Sequence, residues 1–299
     1  MSLLTVGTLA YDSVETAHDR REDLLGGSAT YFSLAASLYG GVAVVGVVGR
    51  DFREGDLTLL RSRGVDLEGL QVAEGETFRW SGRYEADWNT RHTLATHLNV
   101  LQNFDPKLPA KHRGVRFLFL ANATPAVQAK ALAQAVRPTF TMLDTMNLWI
   151  ETARAELLDL LRKVDALILN DEEARMLTGE PNLLRAAAKA LGLGPRFVVL
   201  KKGEHGAFLV GRGARLALPA YPVEEVVDPT GAGDTFAGGL MGYLASQGNA
   251  DAATLRRAML HGTAVASFCV ESFGVEGLAR LGRVAVDARC AELLSFVSV

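Results

Sequence analysis

The stretch Val226-Val227-Asp228-Pro229-Thr230-Gly231-Ala232-Gly233-Asp234-Thr235-Phe236 brings together residue types suited to work on a phosphate. A strand-like run is predicted to stop at Pro229, and a helix with apolar positions Phe236, Leu240, Met241 and Leu244 to follow a small-residue loop. Gly231, Ala232 and Gly233 can bend tightly and present successive backbone N–H groups at the positive end of that helix, which makes an anion site. Asp234, in the first turn, puts a carboxylate beside the anion, where it can take a proton from a hydroxyl attacking a bound phosphate. The same residues also suit a plain glycine turn with Asp234 as a helix cap, so the rest of the chain has to support the chemistry.

Other catalytic signatures are missing. There is no Gly-Lys dipeptide and hence no Walker A loop, no G-x-S-x-G elbow, no H-E-x-x-H and no strict G-x-G-x-x-G. The six histidines are dispersed, and Cys269 and Cys290 are too few for a disulfide framework or clustered metal site, which suits a reducing compartment. Thirty-one basic against 34 acidic side chains give a net charge of −3, with no electrostatic footprint for nucleic acid or a membrane surface. No apolar run reaches the length of a membrane span and the N-terminus lacks a signal-peptide pattern. A cytoplasmic protein with a small-molecule partner is expected.

Short apolar runs alternate with amphipathic stretches, the pattern of βαβ units around a mainly parallel sheet. Strands are predicted at 3–6, 43–48, 117–120, 140–143, 166–169 and 197–200. Helices are predicted at 28–39, 52–63, 151–162 and 183–191, with Gly40, Gly64 and Gly192 as left-handed caps after the first, second and fourth. Between Val72 and Leu101 the rhythm breaks: Phe78, Trp80, Tyr84 and Trp88 sit among polar residues, which predicts antiparallel strands projecting from the sheet, joined by 13–25. The whole chain, 1–299, reads as one α/β domain with lid segments at about 13–25 and 72–101.

With these motifs in order, the chain resembles the ribokinase/PfkB carbohydrate kinases. Asp228, Gly231, Ala232, Gly233, Asp234 and Phe236 match every fixed position of that family's D-x-x-G-A-G-D-x-F signature. An early Asp12, the pair Gly26-Gly27, Gly49-Arg50-Asp51, Asn170 with Glu173 as N-x-x-E, and Gly203-Glu204-His205-Gly206 match its other motifs. The resemblance implies a three-layer α/β/α ribokinase-like domain with a small β-sheet lid, and an ATP-dependent kinase acting on a hydroxyl. It makes Asp234 the general base and the amides of Gly231, Ala232 and Gly233 the anion hole. Asp12, Gly26, Gly27, Tyr31 and Asn122 would meet the acceptor. Asn170, Lys201, Gly203, Gly206, Thr230 and Ala264 would surround the nucleotide. Asn170 and Glu173 would hold Mg2+ largely through water, and Asp228 would stand near a monovalent cation such as K+.

Ribokinase continues from Gly-Gly with a lysine and then an asparagine that reads sugar hydroxyls, where this chain has Ser28 and Tyr31; a glutamate after another strand is matched by Asn122. A ribose pocket is therefore not expected. The polar stretches 141–149 and 89–93 are candidate pocket lining, and Trp80, Trp88 and Trp149 are either stacking surfaces or packing. A small sugar or polyol is the first expectation for the acceptor, a nucleoside the alternative, and a catalytically silent sugar-binding paralogue the second alternative. The lid is expected to pair with its copy in a homodimer.

Overall fold

Runs such as Phe117–Leu120 contain no polar residue because both faces of their sheet are covered. Phe117 and Phe119 enter one apolar layer while Leu118 and Leu120 enter the other, and the same alternation sends Leu3 and Leu4 to opposite sides. The computed structural model describes residues 2–297, so Met1, Ser298 and Val299 of the expected 1–299 domain lie outside the described residues.

The central sheet contains β1 (Leu3–Val6), β4 (Val42–Gly49), β5 (Val65–Ala73), β8 (Phe117–Leu120), β9 (Phe140–Asp144), β10 (Ala166–Asn170), β11 (Phe197–Lys201), β12 (Ala207–Gly211) and β13 (Ala214–Leu218). Its order is β13-β12-β11-β10-β9-β8-β1-β4-β5, parallel except where β12 pairs with β11 and β13. One layer packs α1 (Ser28–Ala36), α8 (Ala232–Gln247), α9 (Ala252–Cys269) and α11 (Arg283–Val297) on the sheet; the Phe32 and Phe119 rings stack there at 4.3 Å. The other packs α3 (Pro125–Gln134), α5 (Arg154–Leu161), α6 (Asp171–Thr178) and α7 (Leu183–Leu191). Shorter helices α2 (Glu54–Ser62), α4 (Asn147–Thr152) and α10 (Glu276–Arg280) add Leu60, Ile150 and Leu278 to these layers. The expected three layers are present.

Several predicted boundaries shift. The helix predicted at 28–39 is α-helical to Ala36 and then tightens into a 3-10 turn, and the one predicted from Phe52 starts at Glu54. The helix predicted at 151–162 is two, broken at Ala153 (φ −135°): Trp149 and Ile150 fix the first, whereas Leu157, Leu160 and Leu161 fix the second on the core. Gly192 has φ −66° and is no left-handed cap; Gly194, at φ +145°, makes the turn. The run before Pro229 joins no sheet, because the Val227 and Asp228 N–H groups donate instead to the Val270 carbonyl at the end of α9 (2.8 and 3.3 Å).

A second sheet of four strands forms the lid: β2 (Ala10–Glu15), β3 (Arg20–Gly26), β6 (Phe78–Tyr84) and β7 (Arg91–His97), in the order β3-β2-β6-β7. It is not wholly antiparallel. The chain leaves the central sheet into β2 and into β6 in the same sense, so those two strands pair in parallel. Residues 72 and 73 finish β5 and 99–103 form a 3-10 turn, which narrows the lid predicted at 72–101. Among the described residues no helix is long and apolar enough to cross a membrane.

Candidate active site

Three neighbouring parallel strands end in a polar residue side by side: Asp144 closes β9, Asn170 closes β10 and Lys201 closes β11, with Asn170 level with Lys201. Ligand sites of open α/β sheets lie at such carboxyl ends. The Lys201 Nζ donates to Asp144 Oδ2 at 3.2 Å. It also faces the start of α8, since a Cβ on Gly233 would lie 3.0 Å from that nitrogen. Burial works to neutralise Lys201, but the carboxylates of Asp144, Glu173 and Asp234 outweigh it and hold the ammonium above its ordinary value. Gln128, buried, braces this end by donating to the carbonyls of Leu120, Ala121 and Asp144.

The turn before α8 has the form expected of an anion site. Gly231 sits at φ +76°, and a Cβ there would strike the Tyr31 ring at 2.4 Å, so this position accepts glycine alone. No side chain caps the helix, which leaves its first amides open. One of the three expected donors is engaged: the Ala232 N–H donates to the Pro229 carbonyl at 3.2 Å to close the turn. Asp234 is half-buried beside this turn, and its carboxyl is pushed up to about 7 by burial and by Asp144, against Lys201 and Arg91. That value suits a base near neutral pH.

Asp12, on β2, is 5% exposed. Burial, with Asp228 and Asp234 adding to it and the Gly27 amide opposing, raises it to about 7. Gly26 is needed next to it: a Cβ there would lie 2.0 Å from Asp12 Oδ2. Gly27, at φ +93°, then turns the chain into α1. Of the remaining acceptor candidates, Ser28 and Asn122 are hydrogen-bonded internally. Ser28 Oγ lies 3.0 Å from Thr8 Oγ1, and the Ser28 N–H donates to the same Thr8 oxygen. Asn122 accepts from Trp149 Nε1 at 2.9 Å and points its amide nitrogen at the Met146 sulfur. Tyr31 is 1% exposed, with its ring on Gly231 and no hydrogen-bond partner for its hydroxyl.

Asn170 and Glu173 form a reciprocal capping box at the start of α6: the Glu173 N–H donates to Asn170 Oδ1 (2.8 Å) and the Asn170 N–H to Glu173 Oε2 (2.7 Å). Burial lifts Glu173 to about 7, with Lys201 opposing and Asp144 adding to it. Among the described residues no three His, Cys, Asp or Glu side chains gather as a metal cluster. The hard oxygen donors of Asn170 and Glu173 fit Mg2+ held chiefly by water and donor phosphates, and not a cage of protein ligands. Asp228 braces the loop with both oxygens, accepting from the amides of Thr230 (2.8 Å) and Gly274 (3.0 Å).

Gly203 and Gly206 flank a short 3-10 turn after β11, both with positive φ. Ala264 is fully buried in the core, and the neighbouring Gly262 serves helix packing, since a Cβ there would lie 2.8 Å from the Phe236 carbonyl. These small residues let α8 and α9 approach each other.

The lid reaches across the site. Thr230 Oγ1 bonds the Tyr84 hydroxyl at 3.3 Å, and the Arg91 charge acts on Tyr84, Asp234 and Glu173. At its tip, Asn89 Nδ2 donates to Glu204 Oε1 at 2.9 Å, touching the loop between Gly203 and Gly206. Sequence reasoning placed 89–93 and 141–149 near the pocket but gave no role to Arg91 or Asp144. A carboxylate ending an apolar strand beside a strand ending in lysine was the available signal for Asp144.

Residues 3–279 match the pfkB family carbohydrate kinases, and the chain belongs to that family. It is 30% identical over 250 residues to a cytidine kinase of Thermococcus kodakarensis, covering 81% of this chain and 88% of the relative. It is 28% identical over 293 residues to a nucleoside kinase of Methanothermobacter thermautotrophicus, covering 92% and 91%. Its fold superimposes on the crystal structure of an Escherichia coli putative ribokinase II in complex with ATP and Mg2+ with a TM-score of 0.80 at 19% identity, over 97% of this chain and 99% of that one. The protein is an ATP-dependent sugar or nucleoside kinase with the ribokinase-like fold.

Proposed function

We propose that the acceptor is a nucleoside, phosphorylated on a ribose hydroxyl, with Asp234 as general base. The observation that carries this is that Ser28 and Asn122, two of the polar candidates for the acceptor, are already hydrogen-bonded within the protein, which leaves Asp12 and the unpartnered Tyr31 hydroxyl. Ser28 is bonded to Thr8, Asn122 to Trp149 and Met146, and Tyr31 is packed on Gly231. Few side chains are left to read the hydroxyls of a free sugar, whereas one carboxylate, Asp12, suffices for the two adjacent hydroxyls of a ribose whose anomeric carbon carries a base. The named activities of the two relatives support the same choice, which reverses the order expected from sequence.

In this reading Asp234 takes the proton of the attacking hydroxyl, whose oxygen bonds to the terminal phosphorus of ATP as the bond to the bridging oxygen breaks and ADP leaves. The Gly231 and Gly233 amides, Lys201 and Arg91 face the charge on the transferred group. Asn170 and Glu173 would hold Mg2+ through water, and the ion would neutralise phosphate charge when bound. The lid excludes water, so that the acceptor rather than solvent is phosphorylated.

A coupled assay of ADP release over cytidine, uridine, adenosine, inosine, ribose, deoxyribose and fructose tests the proposal. At least one nucleoside should be turned over roughly tenfold or more faster than any free sugar; preference for a free sugar overturns the reading, and no ADP release with any of them counts against it. A homodimer through the lid belongs to the same proposal, and light scattering of a monomer at micromolar concentration would remove it.

A further inference from the structure

The motif Gly49-Arg50-Asp51 touches none of the reacting groups, yet the lid leaves the central sheet beside it. Thr77, immediately before β6, is completely buried there. Its N–H and Oγ1 both donate to Asp51 Oδ1 at 2.7 Å, its Oγ1 accepts from the Gly49 N–H at 3.0 Å, and its carbonyl accepts from Asn99 Nδ2 at 2.9 Å. The backbones are in close contact: a Cβ on Gly49 would lie 2.3 Å from the Gly75 oxygen and 2.5 Å from the Thr77 nitrogen.

The second Asp51 oxygen pairs with Arg79 at 3.0 Å, and Arg79 also pairs with Asp23 on β3. The Arg79 and Arg53 guanidiniums lie 5.3 and 4.3 Å from the centre of the Tyr11 ring on β2. The Tyr11 hydroxyl donates to Asp56 (2.9 Å) and accepts from the Arg53 N–H (2.8 Å), at the start of α2. Three lid strands are thus tied to one corner of the central domain. Tyr11 and Asp12 on β2 stand level with Arg79 and Trp80 on β6, so the place of β6 sets the place of Asp12.

We propose that Asp51, Thr77 and Arg79 form a clamp that fixes the seating of the lid on the central sheet and, through the β2–β6 register, the depth of Asp12 in the acceptor pocket. They are positioning residues. The second half of the proposal rests on the reading of Asp12 as the acceptor's ligand; the first half does not.

The test uses the full chain with Thr77→Val, which removes the hydroxyl at nearly constant shape, Thr77→Ser, which keeps it, and Asp51→Asn. Without any ligand, amide exchange in 78–84 and 91–97 should quicken by about tenfold in Thr77→Val and Asp51→Asn, stay near wild type in Thr77→Ser, and be unchanged in β8 to β11. With cytidine as acceptor, KM should rise by about tenfold while kcat and the KM for ATP stay within about twofold. Unchanged lid exchange in both variants overturns the clamp, as does acceleration spread evenly over lid and central sheet, which reports general destabilisation. Asp12→Ala separates the two halves. A raised cytidine KM in Asp12→Ala with none in Thr77→Val overturns the coupling of clamp to pocket, whereas an unchanged KM in Asp12→Ala beside quickened lid exchange in Thr77→Val overturns the acceptor reading and supports the clamp.

Discussion

The central sheet and the lid are built from strands of similar length but are held by different forces. In the sheet, β4, β8 and β9 are buried from end to end and make two apolar layers. In the lid, β3 and β7 are largely exposed, Leu94 is 52% exposed, and several contacts are surface ion pairs such as Arg20 with Glu22 and Arg21 with Asp19. Exposed pairs of this kind contribute about 0–1 kcal/mol each. Asp144, Asn170, Lys201 and Asp234 stand on the central sheet or on α8, whereas Tyr84, Asn89 and Arg91 are carried by the smaller, more exposed sheet and its loop. Asp12 lies where the two meet.

Breaking the central-sheet side should have the largest effect. Asp234→Asn is expected to lower turnover by about 10²–10⁴-fold with fold and ATP binding retained, as for a positioned base; a rate above a tenth of wild type would remove that role. Phe119→Ala, which empties the ring stacked on Phe32, should cost roughly 3–5 kcal/mol in denaturant unfolding, whereas Leu94→Ala in the lid should fall within about 0.5 kcal/mol. Equal losses at the two positions would erase the contrast between the regions.

At the boundary, Asp12→Ala should raise the acceptor KM by roughly 10–100-fold, the worth of hydrogen bonds to a charged group, with the KM for ATP little changed. The pH dependence follows from Asp12, Glu173 and Asp234, each raised to about 7. Their folded values exceed the unfolded ones, so the folded chain binds protons more readily and these groups favour folding as pH falls from 8 towards 5. The ligand-free melting temperature should therefore be higher at pH 6 than at pH 8. Activity should run the other way, with kcat/KM declining as Asp234 is protonated below about pH 7. A flat rate profile between pH 6 and 8 would contradict the assignment of the base. The smallest effect is expected at the lid tip: Asn89→Ala, which removes the contact with Glu204, should raise the acceptor KM by roughly two- to tenfold and leave the melting temperature unchanged.

The sequence by itself determined the motif-bearing parts of this protein. The alternation of apolar runs and amphipathic stretches is a local property, and so is the glycine turn before Asp234, where Gly231 takes a positive φ. The α7 bounds followed from periodicity, while the break at Ala153 did not, because it arises from Trp149 and Leu157 meeting different neighbours. Only the tertiary structure decided which charges share a site. Asp144 and Lys201 are far apart along the chain and meet because β9, β10 and β11 are adjacent and parallel; their burial together with their mutual charges shifts the proton equilibria of the cluster. The parallel pairing of β2 with β6, and with it the position of Asp12, likewise depends on the path of the chain through the central sheet, which no single segment encodes.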